Sequence, residues 1–286
     1  MISNDYNVLI VDDDPDVLAV SKLAMRGFTV IGLPIQLYTA SSKAEAIELI
    51  RRDLSTPVYP GGNFAVALID VVMETDTAGL ELCDYIRNTL HNRFAQLYIR
   101  TGQPGVAPER EVIDRYDING YFTKVEATED KLFTMVNSGV REVTFAGTAV
   151  AMLDLLSALA AFSDSRDAMF GVVEQAVTMS GMRFKAAIFI DDRVIPFGME
   201  RDEAQEVRDR LLKMPSIPLG LPGTPFPTEG DHYVIDNNTT LIHVAESQVT
   251  TVVDYVTVTE APVPRTSVEL VYKSLRAIAS LWQKAQ

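Results

Sequence analysis

The 286-residue sequence predicts an α/β protein, a doubly wound (βα)5 parallel sheet over about the first half of the chain, followed by a second, α+β domain. Three observations lead there. Short β-branched apolar runs alternate with helix-period segments from Asn7 to Lys124. Carboxylate, hydroxyl and amine residues recur where those runs end, and beyond residue 183 candidate strands follow one another with little helix between them. Two domains suit the length, and the expected boundaries are 1–143, a connecting helix over 144–165, and 166–286.

The first strand is Val8 to Val11 and the second Ile35 to Ala40; the third, Phe64 to Ile69, is followed by Gln96 to Thr101 and Gly120 to Lys124. The third run, FAVALI, shows no polar alternation, as a central strand covered on both faces requires. Helical period appears between the strands at Ala44, Ile47, Leu49 and Ile50, and again at Leu80, Leu82, Tyr85 and Ile86. A fifth helix is expected to start at Thr128, a capping hydroxyl with Glu129 and Asp130 in the first turn, and to loosen near Gly139. TFAGTA, Thr144 to Ala149, marks a joint before helical patterns over Val150 to Phe162 and Arg166 to Ser180. Strands are expected at Ala186 to Ile190, His232 to Asp236, Thr240 to Ala245 and Thr250 to Thr259. Pro215, Pro218, Pro222, Pro225 and Pro227 forbid regular structure between the first two, and a helix with one apolar face starts at Thr266.

Composition narrows the function. A net charge of −14, with both halves acidic and no Lys/Arg block, argues against binding a phosphate backbone, so no nucleic acid is expected. The single Cys83 cannot form an internal disulfide and reads as a buried small apolar residue; the N-terminus has no secretory pattern, and the chain is expected to be cytoplasmic. Phe145 to Phe162 carries a single charge, Asp154, whose burial in a bilayer would cost roughly 2.5–3.5 kcal/mol, so a buried or dimer-forming helix is expected rather than a membrane span. His91, His232 and His243 show no metal-ligand spacing.

In a doubly wound sheet, chemistry sits at the carboxyl ends of the strands. Asp12, Asp13 and Asp14 follow the first strand, Asp70 follows the third, Thr101 ends the fourth and Lys124 the fifth. Asp14 and Asp16 also suit helix capping. Carboxylates converging from neighbouring strands favour a hard divalent cation, Mg²⁺ above all. Beside such a cation one carboxylate can attack a phosphoryl group, with a hydroxyl and an ammonium to grip the product. Arg100, next to Thr101, reads as a solvated strand-end charge.

These residues resemble the receiver domain of two-component response regulators, a flavodoxin-like fold, over about residues 5 to 143. VLIVDDDP matches the first strand with its acidic pair, ALIDVVM the phosphoacceptor strand, RTG the switch threonine and GYFTK the aromatic-plus-lysine ending. The resemblance implies that Asp70 accepts a phosphoryl group from a histidine kinase or phosphotransfer protein. It further implies Mg²⁺ held by Asp13, by Asp12 through water, by Asp70 and by the Val72 carbonyl. Thr101 and Lys124 would move onto the phosphoryl group, Tyr121 would rotate as the switch aromatic unless it is simple core packing, and the face of the fourth helix, fifth strand and fifth helix would change its partner preference. Three departures stand out. Glu74 and Gly79 imply one extra residue in the loop METDTAG; Val125 replaces the proline common after the lysine; and Val72 cannot orient a hydrolytic water, which implies slow autodephosphorylation.

The second half resembles a GAF-like or PAS-like sensor domain, with an antiparallel sheet and helices on one face. The combination is similar to response regulators in which a domain of unassigned function follows the receiver, often ahead of an HD-GYP cyclic-dinucleotide phosphodiesterase. No His-Asp pair followed by Gly-Tyr-Pro is present, nor a GGDEF-like or EAL-like motif, so no enzymatic output is expected of this chain. SIPLGLPGTPFP reads as a surface loop rather than a ligand lid, an unknown small ligand is left open, and the flanking helices suit a homodimer. Two other classes compete: a haloacid-dehalogenase-type phosphatase, for which DDDPD lacks the threonine of the nucleophile motif, and a constitutive docking module with a small-molecule-binding second domain.

Overall fold

The computed structural model describes residues 6–54, 64–102, 109–162, 164–179, 185–219, 230–245, 251–259 and 263–285. The chain divides into two compact units, Met1–Gly147 and Thr148–Gln286.

In the first unit β1 (Tyr6–Val11), β3 (Leu33–Ala40), β4 (Val66–Ile69), β5 (Gln96–Thr101) and β6 (Gly120–Thr123) are the five expected strands, all parallel. A sixth, β2 (Thr29–Val30), pairs antiparallel at the β3 edge, giving the order β2-β3-β1-β4-β5-β6. It is two residues long, too short to show a period. Strand alternation sorts the interior onto the two faces of the sheet. Leu9, Val11, Ala67, Ile69, Leu97 and Ile99 face α2 (Lys43–Arg52), α3 (Ala78–Asp84) and α4 (Glu109–Tyr116). Val8, Ile10, Val66, Leu68 and Tyr98 face α1 (Pro15–Ala24) and the first half of α5 (Glu129–Ala161). With both faces covered, strands such as VALI are apolar throughout.

Local chemistry sets the helix starts. Asp14 caps α1, accepting from the Asp16 N–H at 2.9 Å with Pro15 in the first turn, and Thr128 caps α5 through the Lys131 N–H at 3.3 Å. α5 runs unbroken through Gly139 and the TFAGTA segment to Ala161, so the expected joint is not a break in the helix, although the division between the two units falls within that segment. Gly139 is a point of close approach, since a Cβ there would lie 2.8 Å from Val66 Cγ2. By length and composition α5 is also apolar enough to cross a bilayer, a test that core helices of soluble proteins pass as well.

The second unit holds α6 (Arg166–Met179), β7 (Lys185–Ile190), β8 (Arg193–Phe197), α7 (Arg201–Leu211), β9 (Ile217–Pro218), β10 (His232–Asp236), β11 (Thr239–Ala245), β12 (Val252–Val258) and α8 (Arg265–Lys284). Its sheet is antiparallel, ordered β8-β7-β12-β11-β10-β9. α6, α8 and the end of α5 cover one face through Leu159, Met169, Tyr272, Ile278 and Trp282. Helices on one face only were expected. Instead α7 packs Ala204 and Leu211 on the other face against Phe189, Leu241 and Val256. RDEAQEVRDRL is so rich in charge that its narrow apolar stripe escapes a periodicity reading. Pro218 does enter a strand, β9, but at the sheet edge, where a missing N–H costs no ladder bond. Most of SIPLGLPGTPFP lies outside the described residues.

Candidate functional site

The chain order reverses about β1 and β4, and the crevice beyond their carboxyl ends is where a doubly wound sheet places a ligand. Two backbone bonds just past the strands set the acidic residues there. The Asp12 N–H donates to the Ala40 carbonyl at 3.1 Å, and the Asp70 N–H to the Val11 carbonyl at 2.9 Å. Asp12, Asp13 and Asp70 each present an oxygen within 4.8 Å of the others. Asp12 and Asp70 are buried and Asp13 is exposed. This oxygen-only set is of a kind that holds a divalent metal.

Lys124 follows β6, and its Nζ reaches both buried carboxylates, 2.6 Å from Asp70 Oδ2 and 3.0 Å from Asp12 Oδ1. Burial pushes Asp70 above the usual carboxylate range against the pull of this ammonium. For Lys124, burial alone would lower the pKa, but the bonds to Asp70 and Asp12 raise it overall, so the amine stays charged. Asp70 Oδ1 is buried with no hydrogen-bond partner. A buried oxygen of this kind beside an exposed carboxylate can accept a cation or bond a phosphoryl group.

Thr101 is buried at the end of β5, paired in register with Thr123 of β6. Tyr121, on β6, packs against the cluster around Leu97 and Ile99. Val72 also turns its side chain to that cluster, two residues beyond Asp70. After Lys124 the chain makes one 3-10 turn, Lys124–Glu126, closed by Thr123 and Glu126 capping each other. Val125 is exposed on it. The loop after Asp70 is anchored at both ends: the Glu74 carboxylate accepts from the Lys43 N–H at 3.0 Å, and the Gly79 N–H donates to the Val71 carbonyl at 3.0 Å.

One expectation fails outright here. Arg100 is not solvated; it is buried, with Nη2 3.0 Å from Asp12 Oδ2. Its partner lies 88 residues away, which no local pattern reveals.

No family model matches the chain. The 3'3'-cGAMP-specific phosphodiesterase 2 of Vibrio cholerae is 42% identical over 134 residues, 47% of this chain and 24% of that protein. The chain therefore matches about a quarter of the relative's length. Solved structures with a similar fold include the signal receiver domain of an HD domain-containing protein from Pseudomonas fluorescens Pf-5 (14% identity, 49% of this chain and 98% of that chain, TM-score 0.40). Another is the phosphorylated cyanobacterial phytochrome response regulator RcpA (18% identity, 47% and 90%, TM-score 0.35). A third is the Mn²⁺-bound form of response regulator Rcp1 (16% identity, 46% and 90%, TM-score 0.34). Each of these three covers about half of this chain.

The Vibrio relative corrects the expectation of a non-enzymatic protein, because a protein sharing this much sequence is itself a phosphodiesterase. Searching for output motifs misled for a plain reason: only 24% of that enzyme is matched, so its catalytic residues need not fall in the shared stretch.

In the second unit the fold joins residues that spacing left apart. His232 and His243 sit opposite each other on β10 and β11 with ring centroids 4.6 Å apart. His243 Nδ1 is 2.6 Å from Asp254 Oδ1, and Asp254 Oδ2 accepts from Arg208 Nε at 2.6 Å. Strand register was the one indication in the sequence, and it required knowing which strands pair.

Proposed function

We propose that the first unit is a phosphorylation switch in which Asp70 accepts a phosphoryl group from a histidine kinase or phosphotransfer protein. The observation that carries this reading is the Lys124 ammonium bridging Asp12 and Asp70 beside the unpartnered Asp70 Oδ1. That oxygen forms a P–O bond as the bond from phosphorus to the donor nitrogen breaks. Lys124 exchanges its bond to Asp70 for one to the transferred group, and Thr101 closes from β5. Asp13, Asp70 and the Val72 carbonyl would hold Mg²⁺ directly and Asp12 only through water, and the ion would supply charge neutralisation for the transferring oxygens when bound. Arrival of about −1.5 to −2 charges then shifts the face of α4, β6 and α5, with Tyr121 following. The Val72 side chain, apolar and packed on the core two residues beyond Asp70, offers no hydrogen bond to a hydrolytic water, which supports slow hydrolysis.

The output fits the hydrolysis of a cyclic dinucleotide, the chemistry of the Vibrio relative, in the protein to which this switch belongs. For the second unit, an antiparallel sheet with helices packed on it supports a GAF-like or PAS-like sensor role with a small ligand. The apolar surface of α5, where Leu153 is 66% exposed, supports a homodimer. Incubation with acetyl phosphate and Mg²⁺ tests the switch. A single phosphoryl mass increment, lost in Asp70→Asn and on chelation, is expected; no increment under any condition means a constitutive docking module, and continuous phosphate release without an adduct means a phosphatase.

A further inference from the structure

Among the described residues Arg100 is the largest fully buried side chain, and a guanidinium removed from water must be paired. Nη2 donates to Asp12 Oδ2 at 3.0 Å and Nη1 to Ser21 Oγ at 2.7 Å, while Nε has no hydrogen-bond partner. Ser21 is itself fixed, donating to the Val17 carbonyl of α1 at 2.7 Å. The other oxygen of Asp12 is also taken, by Lys124 Nζ at 3.0 Å and the Asp14 N–H at 3.1 Å. Asp12 thus spends both oxygens on donors, two of them cationic. Phosphoryl transfer at Asp70 calls for one ammonium, Lys124; it gives no work to a second buried cation on the far side of Asp12. Three carboxylates facing two resident cations leave a much weaker field for a divalent ion than three facing one.

We propose that Arg100 is a positioning residue that locks Asp12 out of the metal's coordination and weakens the resting site's hold on a divalent cation, leaving Asp13 and Asp70 as the carboxylate ligands. This rests on reading the acidic cluster as a cation site. Charge, rather than packing, is what Arg100 contributes.

The test is a Mn²⁺ titration of the full chain followed by electron paramagnetic resonance of the free ion, which needs no turnover. Arg100→Gln keeps amide donors for Asp12 and Ser21 but removes the charge, and at least tenfold tighter Mn²⁺ binding is expected. Arg100→Lys keeps the charge and should stay within about threefold of the native chain. Equal affinities for the Gln and Lys variants overturn the proposal. The double variant Asp12→Asn with Arg100→Gln exchanges the buried ion pair for a neutral hydrogen-bonded pair, a change folds commonly tolerate. Its affinity should also match the native value within about threefold, and a tenfold loss would show that Asp12 is a ligand after all. Absence of Mn²⁺ binding in every variant removes the cation site itself, whereas binding that appears only in Arg100→Gln supports the role assigned to Arg100.

Discussion

Gly79 has no room for a side chain: a Cβ would lie 1.8 Å from the Asp70 carbonyl oxygen. The start of α3 therefore lies hard against the loop that follows Asp70, and Gly79→Ala should destabilise the fold by about 1–3 kcal/mol and weaken Mn²⁺ binding, seen as a lower melting temperature and a right-shifted titration. Cys83 makes a second expectation at this scale. Complete burial pushes its thiol up to about 12 from an ordinary 9.0, so it should resist a disulfide-exchange reagent at pH 8 until the chain is unfolded in denaturant. Because the folded pKa is the higher one, the stability tied to this thiol is full below pH 9 and is lost as pH rises toward 12. Residues whose roles are local were legible in the sequence, among them the caps Asp14 and Thr128 and the buried Cys83. The role of Arg100 depends on Asp12 and Ser21, which only the assembled sheet brings to it.

Glycines within helices separate two kinds of constraint. At Gly139 of α5 a Cβ would meet Val66 Cγ2 at 2.8 Å and Gln96 Cβ at 3.2 Å, whereas at Gly171 of α6 it would meet nothing within 4 Å. Gly171→Ala should stabilise by about 0.5–1 kcal/mol, the ordinary helix preference. Gly139→Ala should lose about 1 kcal/mol despite the same preference, because the clash outweighs it; chemical denaturation of the two variants side by side measures the difference. Read from sequence, Gly139 resembled a helix end, because propensity does not distinguish a weak helix from one packed backbone-close on a sheet. The five parallel strands were legible because burial on both faces leaves unbroken apolar runs. β2, β8 and α7 were not: β2 is two residues long, β8 carries Pro196, which demotes a strand reading, and α7 is mostly charge with a thin apolar stripe.

At the scale of the molecule, two units share one long helix, whose division falls between Gly147 and Thr148. An apolar helix left with Phe145 and Leu153 exposed needs cover. Sedimentation equilibrium of the full chain should give a dimer, and Leu153→Glu should shift it to monomer by at least tenfold in dissociation constant. Which carboxylate takes the phosphoryl group can be read chemically. Borohydride reduction of the phosphorylated chain converts an aspartyl phosphate to homoserine, which peptide mapping locates. Homoserine at position 70 alone, formed only when acetyl phosphate and Mg²⁺ were both supplied, is the expected result. Homoserine at Asp12 or Asp13, or none while intact-mass measurement still shows a phosphoryl group, would contradict it.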